Sequence, residues 1–105
     1  MADVRVDVIN EFMANLLFEI WRDDAEGEQS MSQVSEEADT FRLTIMPNAT
    51  LAHTFIATSD FDAYQKNYDC NGWGVWQPEP HWTAKPVTNE EEATQQSYLK
   101  RRNVR

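Results

Sequence analysis

Residues 3–21 read DVRVDVINEFMANLLFEIW, and the fold turns on how this stretch is read. Ile9, Phe12, Met13, Leu16, Leu17, Ile20 and Trp21 recur at spacings of three and four, which gathers them into one broad stripe if the backbone is helical. Asp3 or Asp7 would cap the first turn, where a short carboxylate accepts a bond from a free N–H group. Glu11, Asn15, Glu19 and Arg22 then fall largely on the outer face, with Phe18 as a large ring off the stripe. The spacing predicts a long N-terminal amphipathic helix whose apolar face needs a second element to cover it.

The segment that follows, residues 23–39, reads DDAEGEQSMSQVSEEAD, with Met31 and Val34 as its only large apolar residues. It is expected to be an acidic mobile connector, with at most a helical turn near Gln33–Ala38. From Thr40 to Met46 the pattern alternates, with Phe41, Leu43 and Ile45 on one face, and Pro47-Asn48 ends it as turn residues do. That alternation predicts a half-buried strand. Thr50–Thr58 is rich in Thr, Phe and Ile and can pair with it as a hairpin, with Leu51, His53, Phe55 and Ala57 on one face, although a helix capped at Asn48 competes.

Ser59-Asp60-Phe61-Asp62 has the composition of a capped helix start, leading through Ala63, Tyr64, Lys66 and Tyr68 to a stop at Asn71-Gly72. Trp73–Trp76 suits a third strand, and Gln77–Val87, with Pro78, Pro80 and Pro86, should run extended along an edge. Glu90, Glu91 and Glu92 at one end and Lys100, Arg101 and Arg102 at the other match the dipole of a last helix. Ala93, Tyr98 and Leu99 are its only apolar residues, so it is expected to be peripheral, with residues 100–105 a frayed basic tail. The expectation is one α+β domain over residues 1–105: a long N-terminal amphipathic helix packed on a small antiparallel sheet of about three strands, plus short middle and C-terminal helices.

A chain of 105 residues has room for one modest core, and five Phe, four Trp and three Tyr supply much of its burial. Cys70 is the only cysteine, which excludes an internal disulfide framework and suits a reducing compartment. No basic and then uninterrupted apolar segment begins the chain and no stretch is long enough to span a bilayer, so a cytoplasmic protein without membrane association is expected, in the host cytoplasm if the source is viral. The net charge of −9 is concentrated in residues 1–40, with eleven acids against two bases. Such a surface disfavours direct nucleic-acid binding and favours a basic protein partner.

The chemistry-bearing residues form no recognisable constellation. Cys70 with His53 or His81 is the only thiol–imidazole combination, and Asp69 beside Cys70 opposes a thiolate. Two histidines 28 positions apart lack metal-ligand spacing, Asp60, Asp62 and Asp69 do not fit a calcium loop, and Asn71-Gly72-Trp73-Gly74 lacks the lysine or serine of a phosphate cradle. No catalytic, metal or cofactor-binding residues are therefore assigned.

The feature that stands out is aromatic: Trp73, Trp76 and Trp82 fall within ten residues, with Tyr64 and Tyr68 just before them. These rings either close the core of a small sheet or concentrate contact energy at an interface. The expected function is an acidic protein-binding module, in its sharpest form an inhibitor that imitates nucleic-acid charge to engage a basic nucleic-acid-processing or defence enzyme. Asp23, Asp24, Glu26, Glu28, Glu36, Glu37 and Asp39 would steer association, and Trp73, Trp76 and Trp82 would supply the desolvated contact. Two alternatives come from other classes. One is a small-ligand or nucleotide binder whose pocket is lined by Tyr64, Tyr68, Trp73, Trp76 and Trp82 with His53 or His81; the other is a homo-oligomeric assembly subunit joined through a helix bearing Phe12, Leu16 and Phe18.

Overall fold

The last residues of the stretch expected to be helical belong instead to the central strand of a sheet. The computed structural model describes residues 13–104, so residues 3–12 of the expected helix lie outside the described residues. Within them, Leu16–Asp23 is a strand, β1, with β2 (Glu28–Gln33) and β3 (Thr50–Ala57) antiparallel on its two edges. Phe18 stands opposite Gln33 on one side and Phe55 on the other, and Ile20 opposite Met31 and His53. Leu16, Phe18 and Ile20 thus face one side of the sheet, and Leu17, Glu19 and Trp21 the other. A central strand covered on both faces carries apolar residues on both, so LLFEIW satisfies a helical stripe as well as a strand. Pairing along both edges decides for the strand.

Among the described residues the fold is α+β, a three-stranded antiparallel sheet with three helices: α1 (Glu36–Ile45), α2 (Asp60–Asn71) and α3 (Asn89–Val104). The connector expected over residues 23–39 is a tight hairpin followed by the start of α1. Asp23 Oδ1 accepts the Glu26 N–H at 3.2 Å, and Gly27 takes a φ of 68°, which together reverse the chain between β1 and β2. Residues 40–46 are also helical rather than extended. Ser35 caps α1 by accepting the Ala38 N–H at 3.0 Å, and Glu36, Glu37 and Asp39 occupy its first turn. The alternating Phe41, Leu43 and Ile45 consequently stay exposed, while Asp39 and Met46 are buried.

Within residues 50–58, Thr50–Ala57 is a strand, but its partner is β1 rather than residues 40–46. One face of the sheet packs on α2, where Ala63 meets Leu16, Phe18 and Ala57, flanked by Met31, Phe55 and Val87. Ser59 caps α2 through the Asp62 N–H at 3.0 Å and Gly72 ends it with φ 68°, as the sequence suggested. Residues 73–76 are not a strand; the chain from Trp73 returns along α2, and residues 77–87, expected to be extended, contain a turn in which the Trp82 N–H bonds the Glu79 carbonyl at 3.0 Å.

The opposite face carries a polar centre in place of an apolar one. Arg102 of α3 spans the two oxygens of Glu19 on β1 at 2.9 and 2.8 Å and also bonds Asp39 of α1 at 3.0 Å. Asp39 further accepts Arg42 at 2.9 Å and the Tyr98 hydroxyl. Arg42 lies 3.7 Å over the Trp21 ring, whose Nε1 donates to Glu19 at 3.0 Å. Helix α3 is therefore not peripheral, and Arg102 does not belong to a frayed tail. The expectation failed because α3 docks through polar side chains, which a search for apolar stripes does not see.

Candidate functional site

The aromatic residues assemble on the outer side of α2. Spacings of three and four set Phe61, Tyr64 and Tyr68 along one flank of the helix. The chain then turns at Gly72 and lays Trp73–Trp82 back beside them. Gln65 pins the return: its Oε1 accepts the Trp76 N–H at 2.9 Å and its Nε2 donates to the Gly74 carbonyl at 3.1 Å and to Asp69 at 2.9 Å. At the far end Asp60 Oδ1 accepts the Lys85 N–H at 2.7 Å, a bridge joins Ser59 to Pro86, and the Val87 N–H bonds the Thr58 carbonyl at 2.9 Å. Pro78, Pro80 and Pro86 stiffen the segment between these anchors.

The rings make two groups of contacts, one around Trp76 and one between Tyr68 and Trp73. Tyr68 and Trp73 meet edge to face at 5.3 Å; Trp76 touches Phe61 at 5.0 Å, Tyr64 at 4.8 Å and Trp82 at 6.4 Å; His81 adjoins Trp82. They cover a helix rather than closing the sheet. Trp73 remains 57% exposed, Val75 72% and Trp82 50%, while Trp76 is half-buried as the keystone. Sequence reasoning singled out the tryptophans but missed Phe61 and Gln65. The 61, 64, 68 spacing could have revealed Phe61; nothing in the sequence marks Gln65.

The carboxylates expected to act together do not share one surface. Asp24, Glu26 and Glu28 are exposed around the hairpin, whereas Asp23 is buried and engaged in the turn. Glu36 and Glu37 lie beyond the other end of β2, roughly 20 Å away by the rise of a strand. There they line a groove of about 390 Å³ with Glu90, Glu91 and Arg101, and Arg101 pairs with Glu36 at 3.1 Å. Asp39 is buried in the ion network, so it is not available to steer a partner. Burial works against its ionisation, but the bonds from Tyr98 and Arg42 and the charge of Arg102 outweigh it and hold its carboxyl below the usual range. For Glu19 burial again opposes ionisation, and Arg102 and Trp21 overcome it.

The hairpin acids and the Trp73 end of the aromatic strip lie at the same end of the molecule. Arg22, one residue before the hairpin, donates to Asn71 in the last turn of α2 at 2.9 Å, and Trp73 follows Asn71 by two residues.

An aromatic depression of about 420 Å³ exists, but it gathers Phe61, Tyr64, His81 and Trp82 with Asp60 and Lys85. Tyr68, Trp73, Trp76 and His53 do not line it. No hydrogen bond joins Cys70 to His53 or His81 among the described residues. No group of three or more His, Cys, Asp or Glu among them could hold a metal ion, and no helix among them is long and apolar enough to cross a membrane. Comparison with known families, with curated proteins and with solved structures returns no match for this chain.

Proposed function

We propose that the chain is an acidic protein-binding module that docks through the aromatic strip of Trp73, Trp76 and Trp82, with the hairpin carboxylates Asp24, Glu26 and Glu28 steering a basic partner onto it. The observation that carries this reading is the placement of three tryptophans on a helix flank, outside the sheet core, with two of them half or more exposed. Large rings in that position bury much area on contact, and their anchoring by Gln65 and Asp60 lowers the entropy lost on binding. In its sharpest form the partner is a nucleic-acid-processing or defence enzyme, and binding inhibits it. The separation of the acids into two groups supports charge-led steering at two ends more than imitation of one continuous phosphate row.

The test is capture of partners from bacterial lysate at low and high salt with three proteins: the parent chain, Trp73→Ala/Trp82→Ala, and Asp24→Asn/Glu26→Gln/Glu28→Gln. One basic protein should be retained by the parent at low salt, lost with the tryptophan variant, and bound by the neutralised hairpin with weakened salt dependence. A metabolite or nucleotide retained in place of a protein would replace this reading with the small-ligand one.

A further inference from the structure

The two faces of the sheet are held by different chemistry. On the α2 side the contacts are apolar, with Leu16, Phe18, Ala57 and Ala63 packed among Met31, Phe55 and Val87. On the other side, Gln95 and Tyr98 are the buried side chains of α3 among the described residues, while Ala93 is exposed and Leu99 half-buried. Polar bonds do the joining there. Glu92 Oε2 accepts the Asn15 N–H at 3.0 Å, Gln95 bonds the Leu17 and Val34 peptide groups, Tyr98 donates to Asp39, and Arg102 holds Glu19 and Asp39. At the surface Arg101 adds a pair with Glu36.

The chain is fastened just before this helix. Ser59 is bridged to Pro86, and the Val87 N–H bonds the Thr58 carbonyl at 2.9 Å. Thr88 and Asn89 are exposed, and the bonds of Thr88 run to Glu91 and Glu92 of α3 itself. Rotation between Val87 and Thr88 therefore moves α3 together with its cap, as one rigid piece.

We propose that α3 is an acid-sensitive latch, which swings off the sheet as a unit about Val87–Thr88 in acid while the sheet and α2 stay folded. Arg102 is its pin. Among the described residues Glu19 faces it from β1 and Asp39 from α1, and Asp39 is shared with Arg42 and Tyr98. Once both carboxyls are neutral, the guanidinium of Arg102 stands partly buried without a counter-charge, and outward movement of α3 returns it to water. Burial opposes ionisation of Glu19 and Asp39, but their bonds to Arg102, Tyr98, Arg42 and Trp21 outweigh it, so both titrate low while α3 is docked. Docking is thus fully supported above the ordinary carboxylate range and is lost as the pH falls through the lowered values. The apolar cluster under α2 contains no carboxylate and does not share this dependence.

Native-state hydrogen exchange of the full chain, resolved by residue between about pH 6 and about pH 3.5, tests the latch. The amides from Ala93 to Leu99 should share one protection factor, lower than those of β1 and α2, because they open together. Each proton taken up on opening lowers protection about tenfold per pH unit, so α3 should lose about tenfold or more relative to β1 and α2 across the interval. Glu19→Gln/Asp39→Asn should leave α3 weakly protected already at neutral pH and flatten its pH dependence, with the protection of α2 kept. Exchange of α3 only together with β1 and α2 at every pH overturns the proposal. So does a loss of protection no larger in α3 than in the sheet, or a protection graded residue by residue from one end, which reports fraying. Should the variant not fold, the pH series of the parent decides alone.

Discussion

Arg102 satisfies two carboxylates that are themselves largely buried, and its removal would leave both without their main counter-charge. Arg102→Met should therefore cost about 3 kcal/mol, because the unpaired buried charges dominate over the lost packing; urea unfolding of the variant against the parent measures it. The same network sets the response to acid. The carboxyls of Glu19 and Asp39 titrate lower in the folded chain than in the unfolded one. Their contribution is thus fully present above the ordinary carboxylate range, near pH 4, and is lost as the pH falls through the lowered folded values. The thermal midpoint should drop below about pH 4 in the parent, and by less in Glu19→Gln/Asp39→Asn measured against its own neutral-pH midpoint. In the sequence, Arg102 is one of three adjacent cations. Gln95, Tyr98 and Arg102 do share a helical face at spacings of three and four, but the stripe is largely polar and leaves no apolar period in the sequence.

At the scale of elements, one side-chain amide of α3 acts like a missing strand residue, adding to the hold of Arg102 on Glu19. Beyond the end of β2, Gln95 Oε1 accepts the Leu17 N–H at 2.8 Å, and its Nε2 donates to the carbonyls of Leu17 and Val34 at 2.9 and 3.0 Å. Gln95→Glu keeps the size but cannot donate, so the buried Val34 carbonyl loses its side-chain donor while the Leu17 carbonyl keeps the Val34 N–H at 3.0 Å; a loss of about 2 kcal/mol is expected, with amide exchange accelerated at Leu17. Ser35→Ala should cost about 1 kcal/mol by removing the cap of α1, read from the midpoint of denaturant unfolding. The alternation of Phe41, Leu43 and Ile45 favours a strand, but the cap at Ser35 and the acids after it start a helix that carries through it. The start and stop of α2 were legible because Ser59 and Asn71-Gly72 act locally. Helix α3 was legible from its end charges, and Thr88 with Glu91 adds a reciprocal cap, each donating its N–H to the other's side chain.

For the whole molecule, the exposed rings carry little of the stability and, on the proposed reading, most of the contact energy. Trp73→Ala/Trp82→Ala should leave the unfolding free energy within about 1 kcal/mol of the parent while weakening partner binding by about 2 kcal/mol or more. Calorimetric unfolding and titration of the captured partner check the two halves. The charge distribution divides the surface too, with acids at the hairpin and at the starts of α1 and α3.

The sequence alone determined what acts over a few residues: the capped α2, the turn at Gly72, the polarity of α3 and the aromatic density around Trp73. These depend on contacts within a turn or two, or on composition. Only the tertiary structure decided that LLFEIW is a central strand, that the connector is a hairpin and a helix, and that Arg102 and Asp39 are internal. It also separated the acidic residues onto two ends of the molecule. The physical reason is common to all of these: an apolar run covered on both faces has no period of its own, and a polar side chain reveals its role only when its distant partner is brought beside it.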